Sequence, residues 1–249
     1  MKSIYKKILL KRELNNKMLA ILLDPDQCFG PLLASTIAEL KSNIPDFIFV
    51  GGSHTLNCID SLINLLKDEI KTNIVLFPGS ASQFNSNADA LLYLSLLSGR
   101  NAEFLIGQHV CSAVAIKKSK IEVIPTGYLL IDGGKLTSVE YISNTRPIPN
   151  DKKDIALSTA VAAELLGMRL VYLEAGSGAV TPVPTEMIEY VKAGLSLPLI
   201  VGGGIKTTKQ LKEAFDAGAD IVVVGNIFET SPSKISDFVT LTREYGNEE

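Results

Sequence analysis

Glu174 sits at the end of an apolar run in "LVYLEAGSGA" (170–179). An ionised carboxylate is costly to bury unless something pairs with it or reacts through it. Directly behind it, Gly176, Ser177 and Gly178 form a turn that lets a ligand approach backbone N–H groups. Two more glycine groups follow late in the chain, "GGGIKTT" (202–208) and "GNIFE" (225–229). This pattern suits a phosphorylated ligand held at glycine loops beside a general base for one of its hydroxyls. A Glu paired with an interior Lys or Arg is the purely structural alternative. Tyr172, two residues earlier on the same face, either hydrogen-bonds a ligand or fills space.

A second group of candidates lies early in the chain. Asp24 ends an apolar run in "LLDPDQ" (22–27), and "GGSHT" (51–55) follows the next run. A carboxylate there suits a Mg²⁺ that is itself held by phosphates. Asp26 either assists or serves the turn. Ser53 supplies a hydroxyl beside a second anion cradle, and Thr55 is placed to cap the following helix. His54 and His109 each stand alone, with no Ser-His-Asp or His-cluster pattern, and read as turn or packing residues. Lys206 fits either a phosphate contact or a surface role.

These residues need a frame that brings them together. Eight short apolar runs recur, each closed by Gly, Pro or Asp: 18–24, 46–52, 73–79, 90–99, 128–134, 170–176, 197–204 and 220–226. They are continuously apolar rather than alternating, as parallel strands covered on both faces are. Helical patterns separate most of them. Thr207 with Gln210 forms a capping box before Leu211, Ala214 and Phe215, and Gly218 stops that helix. Another helix starts at Asn150 or Asp151 and stops at Gly167. A third carries Leu56, Ile59, Ile63 and Leu66. Residues 101–120 read as a helix, and 121–126 as an extra extended piece. The spacing predicts a single-domain (β/α)8 TIM barrel over residues 1–249. A doubly wound sheet would carry a glycine fingerprint in its first βα turn, where "DPDQCFG" stands instead.

In such barrels the strand C-termini gather the reacting groups, and the loops after strands seven and eight often hold phosphate. The expected helix start near Thr207 also aims its N–H groups at an anion. Residues 1–17 read as a basic amphipathic helix packing over the barrel through Ile4, Ile8 and Leu9, not as a secretory signal.

Composition narrows the classes. Of 249 residues, 46% are hydrophobic and 20% charged, as in an ordinary globular protein. The formal net charge of −3 argues against nucleic-acid binding through a general basic field. No apolar run reaches the ~18 residues of a membrane span. Cys28, Cys58 and Cys111 are scattered and read as buried thiols of a reducing compartment, not as disulfides or zinc ligands. The expectation is a soluble cytoplasmic protein.

Taken in order, "LLDPDQ", "GGSHT", "FPGS", "YLEAGSGA", "VGGGIKT" and "VVVGNIFE" resemble the geranylgeranylglyceryl/heptaprenylglyceryl phosphate synthase family, from about residue 18 to residue 230. The connecting "DALLYLSLLSGRN" and "LIGQHV" match as well. The resemblance implies a TIM-barrel prenyltransferase that joins sn-glycerol 1-phosphate to a long polyprenyl diphosphate and releases diphosphate, with Mg²⁺. Carried over by motif, Asp24 and Ser53 would hold Mg²⁺. Tyr172, Leu173, Glu174, Ala175, Gly176, Ser177 and Gly178, with Gly203, Gly204, Gly225 and Asn226, would bind the glycerol phosphate. Glu174 would take the hydroxyl proton, with Tyr172 beside it as the second catalytic group. Some members have a Trp near "SGRNAEF"; this chain has none and presents Phe104. The overall likeness implies a C20 donor, a homo-oligomer and a lipid product compatible with transient bilayer contact. Two other readings fit the late glycine loops. One is a small-substrate phosphate enzyme, an isomerase or thiamin-phosphate-synthase-like barrel. The other is a non-catalytic sensor of phosphate ligands.

Overall fold

A computed structural model describes residues 3–245 of the chain. Its centre is a closed barrel of parallel strands, hydrogen-bonded in chain order. They are β1 (Met18–Leu23), β2 (Phe47–Val50), β3 (Asn73–Leu76), β4 (Ala90–Leu96), β5 (Glu122–Leu130), β6 (Leu170–Glu174), β7 (Leu199–Gly202) and β8 (Ile221–Val224). The helices that alternate with them are α2 (Gly30–Ser42), α3 (Ile59–Glu69), α4 (Gln108–Ser119), α5 (Ser138–Ser143), α6 (Lys153–Leu165), α7 (Thr185–Ala193), α8 (Thr208–Asp216), α9 (Asn226–Thr230) and α10 (Ile235–Glu244), after an N-terminal α1 (Ile4–Glu13). The expected (β/α)8 barrel is therefore the fold.

The apolar runs follow from the barrel's two cores. Successive strand side chains point to opposite faces. Met18 and Ala20 of β1, Phe47 and Phe49 of β2, Leu170 and Tyr172 of β6, and Ile221 and Val223 of β8 fill the barrel interior. Their neighbours Leu19, Ile21, Ile48, Val171, Leu173 and Val222 pack outward against the helices. Both faces are buried, which is why the runs are apolar throughout rather than alternating.

The lower end, at the strand N-termini, is built for stability. Asp46, Asp89 and Asp220 each precede a strand and accept an N–H from the strand beside it: Leu19 at 2.9 Å, Ile74 at 2.8 Å and Leu199 at 2.7 Å. Each also pairs with a lysine, Lys11, Lys67 and Lys192 respectively. Across this end lies α1. Its first N–H groups, of Ile4 and Tyr5, donate to the Glu122 carboxylate at 2.6 and 3.0 Å, while Ile4 and Ile8 enter the interior core. Leu9 is only half-buried, and Met1 and Lys2 lie outside the described residues.

Local details depart from the sequence reading. The pieces 121–126 and 128–134 belong largely to one strand, β5, with Pro125 paired to Tyr93 and Gly127 to Ser95. The third helix begins at Ile59, so Leu56 lies outside it and is exposed; Cys58, not Thr55, occupies the cap position. The sixth helix starts at Lys153, two residues later than expected. Residues 103–107 form one wider helical turn ahead of α4. Cys28 is buried, its thiol pushed up to about 11 by desolvation, whereas Cys58 and Cys111 are exposed. Among the described residues no helix is long and apolar enough to cross a membrane.

Candidate active site

Strand parity places Glu174. It follows Leu170 and Tyr172 on the inward face, and as the last residue of β6 it reaches the barrel mouth. The side chain is 6% exposed. One carboxylate oxygen accepts the Gly176 N–H at 2.7 Å, and among the described residues no lysine or arginine pairs with it. Burial raises its pKa above the ordinary carboxylate range, against the opposing pull of the Tyr172 hydroxyl and the Gly176 N–H. This is the poised state of a proton acceptor.

Tyr172 lies beneath the mouth, fully buried, in van der Waals reach of Phe77 and Tyr128, with ring centroids 5.4 Å from each. Its hydroxyl has no hydrogen-bond partner of good geometry. Desolvation and then the Glu174 charge hold its pKa well above the ordinary value. It is therefore a neutral donor directed toward the mouth.

The glycine loops close round this pair. Gly203 adopts φ +80°, and a Cβ there would run into the Glu174 carboxylate and, at 2.7 Å, the N–H groups of Ala175 and Gly176. Only glycine lets the β7 loop lie this close to the β6 end. The mouth cavity, about 130 Å³, is lined by Asp24, Ser53, Tyr172, Glu174, Ser177, Gly203, Gly204, Gly225, Asn226 and Glu229, among others. Leu173 and Ala175 face the outer core, so they can offer the mouth only their backbone. Gly176 and Gly178 lie behind the lining: the first N–H serves Glu174 and the second donates to Asn226 Oδ1 at 2.8 Å.

Lys206 and Thr207 are not in the mouth. The Lys206 ammonium donates to the Ala179 carbonyl at 3.0 Å, and the Thr207 and Gln210 N–H groups at the start of α8 are engaged by its own capping box. The start of α8 does not line the cavity; the glycines just ahead of it, Gly203 and Gly204, do.

Asp24 stands on the opposite wall at the end of β1. It is partly buried, accepts the Asp26 N–H at 2.9 Å, and desolvation raises its pKa. Gly52 makes room for it, since a Cβ there would sit 2.7 Å from Oδ2. Asp26 serves the turn: its oxygens take the N–H groups of Leu56 and Asn57, each at 2.7 Å, which lowers its pKa. Among the described residues no cluster of three or more metal-ligating His, Cys, Asp or Glu exists. A desolvated Asp24 carboxylate with the Ser53 hydroxyl nearby in the same cavity is an all-oxygen, incomplete donor set. It fits a hard divalent cation that takes its remaining ligands from water and phosphate.

Two contributors escaped the sequence reading. Gln83 is buried and joins the loops after β2 and β3, donating to the Gly52 carbonyl at 2.8 Å and accepting from Gly79 N–H at 3.1 Å. Glu229 lines the mouth from α9. It closes "GNIFE", and no spacing rule singles it out. His109 packs edge-on against Tyr93, while His54 is exposed in the β2 loop.

A second cavity opens beside the mouth. Its walls include Phe84, Leu92, Leu94, Leu96, Phe104 and Ile116, drawn from β4, the loop after β3, the wide turn and α4. Gly52, Ser53, Phe77, Tyr128 and Val139 line both cavities. An apolar groove thus runs up to a polar, anion-suited mouth.

Comparison with known proteins agrees with this geometry. The PcrB family model matches residues 12–242. A geranylgeranylglyceryl phosphate synthase of Chitinophaga pinensis is 49% identical over 235 residues, covering 94% of this chain and 93% of that protein. One from Spirosoma linguale is 46% identical, covering 92% of each. The crystal structure of (S)-3-O-geranylgeranylglyceryl phosphate synthase from Thermoplasma acidophilum, in complex with its substrate sn-glycerol-1-phosphate, superposes with a TM-score of 0.90 at 36% identity. That match covers 98% of this chain and 100% of the other. The chain belongs to the PcrB family, in the company of these geranylgeranylglyceryl phosphate synthases.

Proposed function

We propose that this protein joins sn-glycerol 1-phosphate to a long polyprenyl diphosphate, geranylgeranyl diphosphate by preference, giving a prenylglyceryl phosphate and diphosphate. One observation carries the reading: a buried carboxylate without a counter-ion lines a phosphate-suited mouth that an apolar groove adjoins. A small polar substrate would leave that groove without a purpose. A sensor would have no need of a desolvated base.

The chemistry follows from the placement. The glycerol phosphate lies against the glycine loops after β6, β7 and β8, with its free hydroxyl toward Glu174. The prenyl tail lies in the groove past Phe104, with its allylic carbon near Phe77. The C–O bond to diphosphate breaks with its electron pair leaving on diphosphate, the glycerol oxygen bonds to the allylic carbon, and the hydroxyl proton passes to Glu174. Positioning one hydroxyl and excluding water account for much of the barrier lowering in such a reaction. Tyr172 holds the carboxylate and the substrate oxygen in register. When bound at Asp24 and Ser53, Mg²⁺ would supply positive charge to the departing diphosphate. Homo-oligomer formation and transient bilayer contact belong to the same reading, because donor tail and product are lipids.

The test is direct. Purified protein with Mg²⁺, radiolabelled sn-glycerol 1-phosphate and prenyl diphosphates of increasing length should move label into organic solvent, with a C20 donor best. Label should not move from sn-glycerol 3-phosphate. Binding of the phosphate without transfer from any donor would favour the sensor.

A further inference from the structure

Glu229 has no part in the proton transfer above, yet both its oxygens are committed within the mouth. Asn226 Nδ2 donates to them at 3.3 and 3.2 Å. The other end of the same carboxamide, Oδ1, accepts the Gly178 N–H at 2.8 Å and the Ser177 hydroxyl at 3.2 Å. An amide's two ends are nearly the same shape, so its neighbours decide which way it points. Here both neighbours agree: the Glu229 oxygens accept from Nδ2, and the Gly178 N–H only donates. If the amide were reversed, donor would face donor at Gly178 and acceptor would face acceptor at Glu229.

We infer that Glu229 is a positioning residue. It orients the Asn226 carboxamide so that Oδ1 clasps the Ser177–Gly178 turn to the end of β8, preforming the site for the phosphate. The clasp spans residues 48 apart in sequence and joins two of the three glycine loops. Its ligand is the glycerol phosphate of the proposed function, and to that extent it rests on that reading. The three-residue spacing puts Glu229 one turn of α9 beyond Asn226, on the same side of the helix. Both residues line the mouth.

Two measurements on the full chain test this. The first is hydrogen exchange of the Gly178 amide without ligand. The second is calorimetric binding of sn-glycerol 1-phosphate in the presence of a chelator. Glu229→Ala should speed exchange at Gly178 and weaken binding about tenfold, the usual effect of losing a hydrogen bond to a charged group. It should raise KM for the glycerol phosphate while largely keeping kcat. Glu229→Gln retains a carbonyl that can accept from Nδ2, so it should restore both properties. Asn226→Ala should lose at least as much, and adding Glu229→Ala to it should lose no more, as expected for a residue that acts through Asn226.

Normal exchange and normal affinity in Glu229→Ala would overturn the inference. So would equal defects in Glu229→Ala and Glu229→Gln that arise only with Mg²⁺ present, which would make the residue a metal ligand. If the wild-type protein fails to bind sn-glycerol 1-phosphate, the proposed substrate falls; the exchange comparison still decides the clasp.

Discussion

Glu174 bears the cost of its position and the benefit of it. Burial disfavours its charged form, so its pKa in the fold lies above the 4.5 of a free carboxyl. The folded state therefore holds this proton more tightly than the unfolded chain does. Stability contributed by the group is present below the unfolded value and is lost as pH rises through the folded one. Glu174→Gln removes the ionisation while keeping the shape. The variant should melt higher at about pH 8, with the gap closing as pH falls toward the unfolded value. Thermal melts across pH check this; a variant that melts lower at every pH would mean that the charged carboxylate stabilises the fold. Tyr172 shares the arrangement, with a buried hydroxyl beside the Glu174 carboxylate and, among the described residues, no hydrogen bond of good geometry.

The elements explain how far the sequence could be read. β6 was legible because parity alone puts Glu174 with Leu170 and Tyr172, and the Thr207–Gln210 cap because a capping box is a local device. Thr207→Ala should cost about 1 kcal/mol, lowering Tm by ~3 °C, through loss of that cap. Glycerol-phosphate binding should persist, since the start of α8 lies outside the mouth; loss of binding would restore it to the site. Reading failed where tertiary contacts overrode local signals. Residues 121–126 and 128–134 read as separate pieces, yet pairing with β4 carries β5 through Pro125 and Gly127. Leu56 fitted a helical stripe, but Asp26 draws the Leu56 and Asn57 N–H groups into a turn instead. Gln83 and Glu229 act on partners distant in sequence or hidden in a short helix, which no periodicity reports.

Across the whole molecule, labour is divided between the barrel's two ends. The lower end spends its carboxylates on strand N–H groups and lysines, where Asp46, Asp89 and Asp220 serve stability. At the upper end, among the described residues, no lysine or arginine pairs with Asp24 or Glu174. Closure of the sheet brings β1, β6, β7 and β8 to one rim, and the groove from β4 meets that rim at Phe77 and Tyr128. The paired demand for a polar phosphate and an apolar tail is thus a property of the closed barrel, legible in sequence only through the ordered motifs. The sharpest test compares wild type and Glu174→Gln for sn-glycerol 1-phosphate binding and for its transfer to geranylgeranyl diphosphate. The variant should bind as the wild type does and lose transfer by about 10³-fold, the range of a general base. Transfer at the wild-type rate would contradict the assignment and return Glu174 to a structural role.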